Sequence, residues 1–126
     1  MNQNTSPQSN AALNYSPNMD SEIKFKITLD EDRIPEKINW SASDSGVEGV
    51  KPCHATMMSI WDPNENTTLR IDLWTKDMLV DDMKRFFYEN FMTMADTYQR
   101  ATNDADSSKE IKKFAEAFGK RTGVTL

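Results

Sequence analysis

The chain has 126 residues, a formal net charge of −5, one cysteine and one histidine. That length suits one domain with one modest core. No stretch is basic enough to track phosphates or hold an anionic membrane surface, and a lone thiol excludes an intramolecular disulfide, which suits a reducing compartment.

Met1–Asp20 is rich in Asn, Ser, Gln and Pro and too poor in large apolar side chains to offset its ordering entropy. It is expected to be a disordered tail, with Leu13–Tyr15 its only candidate docking peptide. It holds no Lys or Arg and no run of seven apolar residues, so the secretory-signal pattern fails. No window approaches the ~18 apolar residues of a membrane span, which leaves the cytoplasm as the default compartment. Residues 21–126 read as a single α+β domain.

Glu22–Leu29 alternates without a break: Ile23, Phe25, Ile27 and Leu29 towards a core, Lys24, Lys26 and Thr28 outwards. A polar turn follows, and Pro35 starts a second strand that repeats the alternation at Ile38, Trp40 and Ala42. Ser43–Val50 reads as a loop. Pro52 opens a third strand, with Cys53, Ala55, Met57 and Trp61 on one face and His54, Thr56, Met58 and Ile60 on the other. Asp62–Asn66 is a turn, and Thr67–Trp74 is a fourth strand.

The period then changes. Asp77 offers an N-cap oxygen. From Leu79, Met83, Phe86, Phe87, Phe91, Met94, Ala95, Tyr98 and Ala101 fall at helical steps and make one broad stripe. The upstream sheet is the expected cover for it. Ser107-x-x-Glu110 has capping-box spacing, and Ile111, Phe114, Ala115 and Phe118 give a second helix, with Gly123 a plausible stop. Strands followed by helices predict an α+β fold, a four-stranded antiparallel sheet followed by two C-terminal helices.

No catalytic constellation stands out. Cys53 and His54 are neighbours on a strand and point to opposite faces, so they suit neither a dyad nor a shared metal. Asp81 and Asp82 fit the first turn of a helix, and Asp81–Arg85 and Asp96–Arg100 have the spacing of surface pairs. Asp30-Glu31-Asp32 lacks the glycine and distal glutamate of a calcium loop. The expectation is no catalytic residue, no metal and no cofactor. The less bland feature is a sheet that is apolar on both faces. Phe25, Trp40, Met57 and Leu69–Leu73 are expected to face the helix, while Met58, Ile60 and Trp74 project the other way beside Thr56, Arg70 and Asp72. Such a patch exceeds what a monomer usually leaves wet. Met58, Ile60 and Trp74, with Trp40 a further candidate, are therefore expected at an interface, most simply that of a homo-oligomer.

Four stretches carry a resemblance: Ile34–Ala42, Ala55–Asp62, Thr68–Met78 and Met94–Thr102. Together, and most specifically in Leu69-Arg-Ile-Asp-Leu-Trp-Thr-Lys-Asp-Met78, the chain resembles the gliding motility-associated protein GldC family of Bacteroidota over about residues 21–120. The resemblance implies a small non-enzymatic accessory protein, with a partner in the gliding or associated secretion machinery. The element order also invites analogy with the SecB export chaperone, and with it a chaperone-like alternative that binds unfolded secretion substrates.

Overall fold

A computed structural model describes residues 20–124. The expected tail, save Asp20, and the candidate peptide Leu13–Tyr15 lie outside the described residues. The chain divides into two compact units, one ending at Thr75 and one beginning at Lys76.

In the first unit, β1 (Ile23–Leu29) and β2 (Pro35–Ala42) form the expected antiparallel hairpin. Its loop is tied by Asp30, whose Oδ1 accepts the N–H groups of Asp32 at 2.8 Å and Ile34 at 3.0 Å, an Asx turn. The register sets Phe25 opposite Trp40 and Ile27 opposite Ile38, and on the other face Lys24 opposite Ser41 and Lys26 opposite Asn39. One face is thus apolar and the other polar, as the alternation requires. Ile38, 1% exposed, anchors the apolar face.

The third strand is where expectation and structure part. Instead of one continuous strand there are two, β3 (Lys51–Cys53) and β4 (Ala55–Asp62), separated by a bend at His54. β3 pairs antiparallel with β2, while β4 pairs antiparallel with β5 (Thr67–Trp74). The expected single four-stranded sheet is therefore a three-stranded sheet, β1-β2-β3, and a two-stranded ribbon, β4-β5. Chemistry favours a short β3 ladder: Pro52, which faces Asn39, has no N–H to give. Beyond it the chain exchanges β2 for β5 as its partner, and the Thr75 N–H closes the new ladder on the His54 carbonyl at 2.9 Å.

The second unit is a hairpin of two helices, α1 (Val80–Thr102) and α2 (Ala105–Thr122). Asp77 is not the cap. Helix α1 starts at Val80, with Leu79 in the cap position and no side-chain capping bond; Asp81 and Asp82 in the first turn complement the dipole. The linker is also shorter than expected. Asn103 ends α1 in the left-handed region and Asp104 caps α2, its Oδ1 accepting from the Ser107 N–H at 3.0 Å. The capping residue is thus Asp104, three positions before the expected Ser107. Gly123 stops α2 at φ +80°, a conformation that favours glycine.

Small residues let the two helices approach. Ala95, Ser108, Ala115 and Gly119 are buried, and Ser108 Oγ donates to the Ala95 carbonyl at 2.8 Å. Asp96 reaches across to Lys112 at 2.7 Å rather than along its own helix to Arg100. Ser108→Ala should lower the stability of the hairpin by about 1 kcal/mol, the typical worth of such a bond; a urea midpoint equal to that of the wild type would show that the contact is idle.

Asp104 gives a pH-dependent prediction. Hydrogen bonds from Ser107, side chain first and then backbone, and from the Tyr98 hydroxyl at 2.8 Å hold its carboxyl below the ordinary range. A carboxyl depressed on folding stabilises the fold above its unfolded pKa of about 3.9, and that contribution is lost as pH falls through the folded value. Asp104→Ala should therefore lower Tm at pH 7, and the gap to wild type should narrow steadily below about pH 4. A gap that is constant from pH 7 to pH 2 would exclude this role.

Candidate interaction surface

Cys53 is half-buried opposite Ile38, and burial pushes its thiol pKa up, partly offset by a hydrogen bond with the Ala55 backbone. A raised pKa means less thiolate and a poorer nucleophile. The thiol lines a shallow hollow of about 280 Å³ with Phe25, Trp40, Ala55 and Thr56. Trp40 is half-buried there, facing Phe25 across the strands. His54 is exposed at the bend. Among the described residues no three His, Cys, Asp or Glu side chains gather in a way that could hold a metal ion.

The β4–β5 ribbon is the chemically distinctive surface. Its register pairs Thr56 with Leu73, Met58 with Ile71, Ile60 with Leu69 and Asp62 with Thr67 on one face. The other face pairs Ala55 with Trp74, Met57 with Asp72, Ser59 with Arg70 and Trp61 with Thr68. Met58 and Ile60 therefore share a face with Leu69, Ile71 and Leu73. Trp74, expected beside them, lies on the opposite face. Arg70 and Asp72 also change sides: they face the same way as Met57, not Met58. The expectation failed on parity, because Leu69, Ile71 and Leu73 belong with whichever β4 residues stand directly across the ladder.

The two faces differ in kind. On the first, Ile60, Leu69 and Ile71 are each about half exposed, at 50%, 51% and 45%, while Met58 and Leu73 are half-buried. A row of five large apolar side chains on one face is a contiguous patch, not scattered exposure. On the second face, Trp61 and Trp74, 61% and 56% exposed, flank a polar centre. There Arg70 grips Asp72 with two parallel bonds, Nε to Oδ2 at 3.1 Å and a terminal nitrogen to Oδ1 at 2.8 Å, and also donates to Ser59 Oγ. The hydrogen bond to Asp72 is the main reason the guanidinium pKa is raised. Residues two apart on a strand share a face, so this fork–fork pair is built by β5 alone.

The fold and this surface define a small α+β protein with an open, apolar-faced β-ribbon. Residues 35–124 match the family model described as gliding motility-associated protein GldC-like. The match covers most of the chain, and the protein belongs to that family of gliding-motility-associated proteins. No curated protein matches it, and no solved structure does. No helix among the described residues is long and apolar enough to cross a membrane.

Proposed function

We propose that the protein is a non-enzymatic accessory of the gliding machinery and acts through protein–protein contacts made by the β4–β5 ribbon. The observation that carries this reading is the patch of Met58, Ile60, Leu69, Ile71 and Leu73 on one ribbon face, three of them about half exposed. An apolar row of that kind gains free energy when another protein covers it, at about 25 cal/mol per Å² removed from water. The two tryptophans on the opposite face, around the Arg70–Asp72 pair, add residue types that recur as binding anchors. The family membership names the setting, and the surface supplies the means.

The test is affinity capture from a gliding bacterium, with the chain as bait and Ile60→Asp/Ile71→Asp as the comparison. A motility or secretion component retained by the wild type and lost from the variant supports the reading. Equal capture by both excludes the ribbon. If instead the wild type suppresses aggregation of an unrelated denatured protein at stoichiometric amounts and the variant does not, the ribbon serves as a chaperone surface for unfolded segments and not a dedicated docking face.

A further inference from the structure

Four strands of the first unit pair on one side only among the described residues: β1 and β3 at the two edges of the three-stranded sheet, and β4 and β5 in the ribbon. Of these, β1 and β5 carry charges along the middle of the strand. An unpaired edge is a template for another strand, and proteins usually guard it with charge. The β1 and β5 edges place their charges differently. In β1 the charges are Lys24 and Lys26, on either side of Phe25. Antiparallel self-pairing centred on Phe25 would set each lysine opposite its counterpart, which is repulsive.

β5 has the opposite character. Its central sequence is Leu69-Arg70-Ile71-Asp72-Leu73. An antiparallel copy centred on Ile71 meets it with Arg70 opposite Asp72, Asp72 opposite Arg70, Leu69 opposite Leu73 and Ile71 opposite itself. Every charge faces its complement, and every apolar residue faces another. Centring on Arg70 or on Asp72 instead sets like charges face to face. The charges thus select one register.

The backbone agrees with that register. The Thr75 N–H bonds the His54 carbonyl, and the β4–β5 register runs unbroken from Ala55–Trp74 to Asp62–Thr67. Ladder groups alternate sides along a strand, so Thr75, Leu73, Ile71 and Leu69 direct their N–H and C=O groups towards β4. Arg70 and Asp72 direct theirs to the free edge. In a pairing centred on Ile71 these two become hydrogen-bonded partners, and Ile71 meets its copy in the close, non-hydrogen-bonded type of pair.

We propose that a second copy of this chain pairs with β5, edge to edge and antiparallel about Ile71. The result is a two-fold dimer with a continuous β4-β5-β5-β4 sheet. This rests on the reading of the ribbon as a protein–protein surface and names the partner and the register. A two-stranded ribbon is marginal alone, whereas more strands with an apolar face are stable. Self-pairing joins the rows Met58, Ile60, Leu69, Ile71 and Leu73 of both copies into one apolar face. An isologous contact requires residue i to suit residue j and the reverse, and the Leu-Arg-Ile-Asp-Leu segment meets that requirement at each position.

Light scattering across a concentration series, on the full chain, tests it. The wild type should be dimeric at tens of micromolar. Arg70→Asp, which twice sets a new carboxylate opposite Asp72, should weaken self-association by about tenfold or more, with an unchanged far-ultraviolet circular dichroism spectrum. The exchange Arg70→Asp/Asp72→Arg should restore the dimer. A second arm does not depend on those variants folding: Ile71→Cys in a Cys53→Ser background should form a disulfide-linked dimer in air, because the two thiols meet across the axis, whereas Leu69→Cys in the same background should not. A wild type that is dimeric, unaffected by Arg70→Asp and not linked through Ile71→Cys overturns this register while leaving an interface elsewhere on the ribbon open. A wild type that is monomeric at every concentration overturns self-pairing itself, and capture of a different motility protein by the ribbon would still stand.

Discussion

Ile38→Ala should destabilise the first unit by about 2–5 kcal/mol, the usual cost of emptying a fully buried aliphatic site. Ile38 faces Ile27 of β1 on one side and Cys53 of β3 on the other. It is 1% exposed, and the other described residues of the same burial are small. A domain's total stability is about 5–15 kcal/mol, so a loss of this size should appear as a large fall in the urea midpoint. Ile71→Ala is the control, because Ile71 is 45% exposed in the isolated chain. It should cost much less in dilute solution and more as concentration rises, since a partner that covers it stabilises the folded state by mass action. If Ile38→Ala costs no more than Ile71→Ala at low concentration, Ile38 is not the anchor its burial indicates.

The contrast between those two isoleucines shows what the sequence could and could not say. Alternation put Ile23, Phe25 and Ile27 on one face with Ile38 and Trp40, and the register agrees. The switch to a period near 3.6 announced both helices, and Gly123 marked the end of the second. The α+β class was legible for that reason, and so was the family, since the stretches that resemble it lie mostly within the matched residues. The division of the sheet was not legible. Lys51–Asp62 contains no glycine and its one proline sits inside β3, so nothing local marks a bend at His54. The bend follows from which strand lies across the ladder, and that is a non-local property. The same ignorance misplaced Trp74. Parity within β5 was plain, but parity between β4 and β5 depends on the turn, and a shift of one residue exchanges the faces. The helix starts failed for a more local reason. Asp77, Asp104 and Ser107 are all acceptable caps, so residue type alone does not distinguish them; in the structure Asp104 caps α2 and Leu79 stands at the cap position of α1. The charge symmetry of β5 about Ile71 was visible in the sequence, but it acquires meaning only when one edge of that strand is known to be open.

Phe91→Ala should produce the largest loss in the second unit, about 3 kcal/mol, the low end of the range for Phe→Ala because the ring is only half-buried. Phe91 is the centre of the aromatic cluster. Its ring meets Phe114 and Phe118 of α2 edge-on, each with centroids 5.2 Å apart, and Phe87 of its own helix at 6.1 Å. Edge-on pairs contribute about 0.5–1.5 kcal/mol beyond the area they bury, and removing the central ring forfeits three of them together. Phe91→Leu keeps most of the volume and should cost about 1 kcal/mol, which isolates the ring-specific part. Phe114→Ala touches the same cluster from a position that is 57% exposed, so it should cost less than Phe91→Ala. The check is the helical circular dichroism signal followed through urea for all three variants. The order matters more than the sizes. Phe114→Ala as damaging as Phe91→Ala would mean that Phe114 is covered in solution by a surface outside the helical hairpin, and the cluster would then be an interface and not a private core.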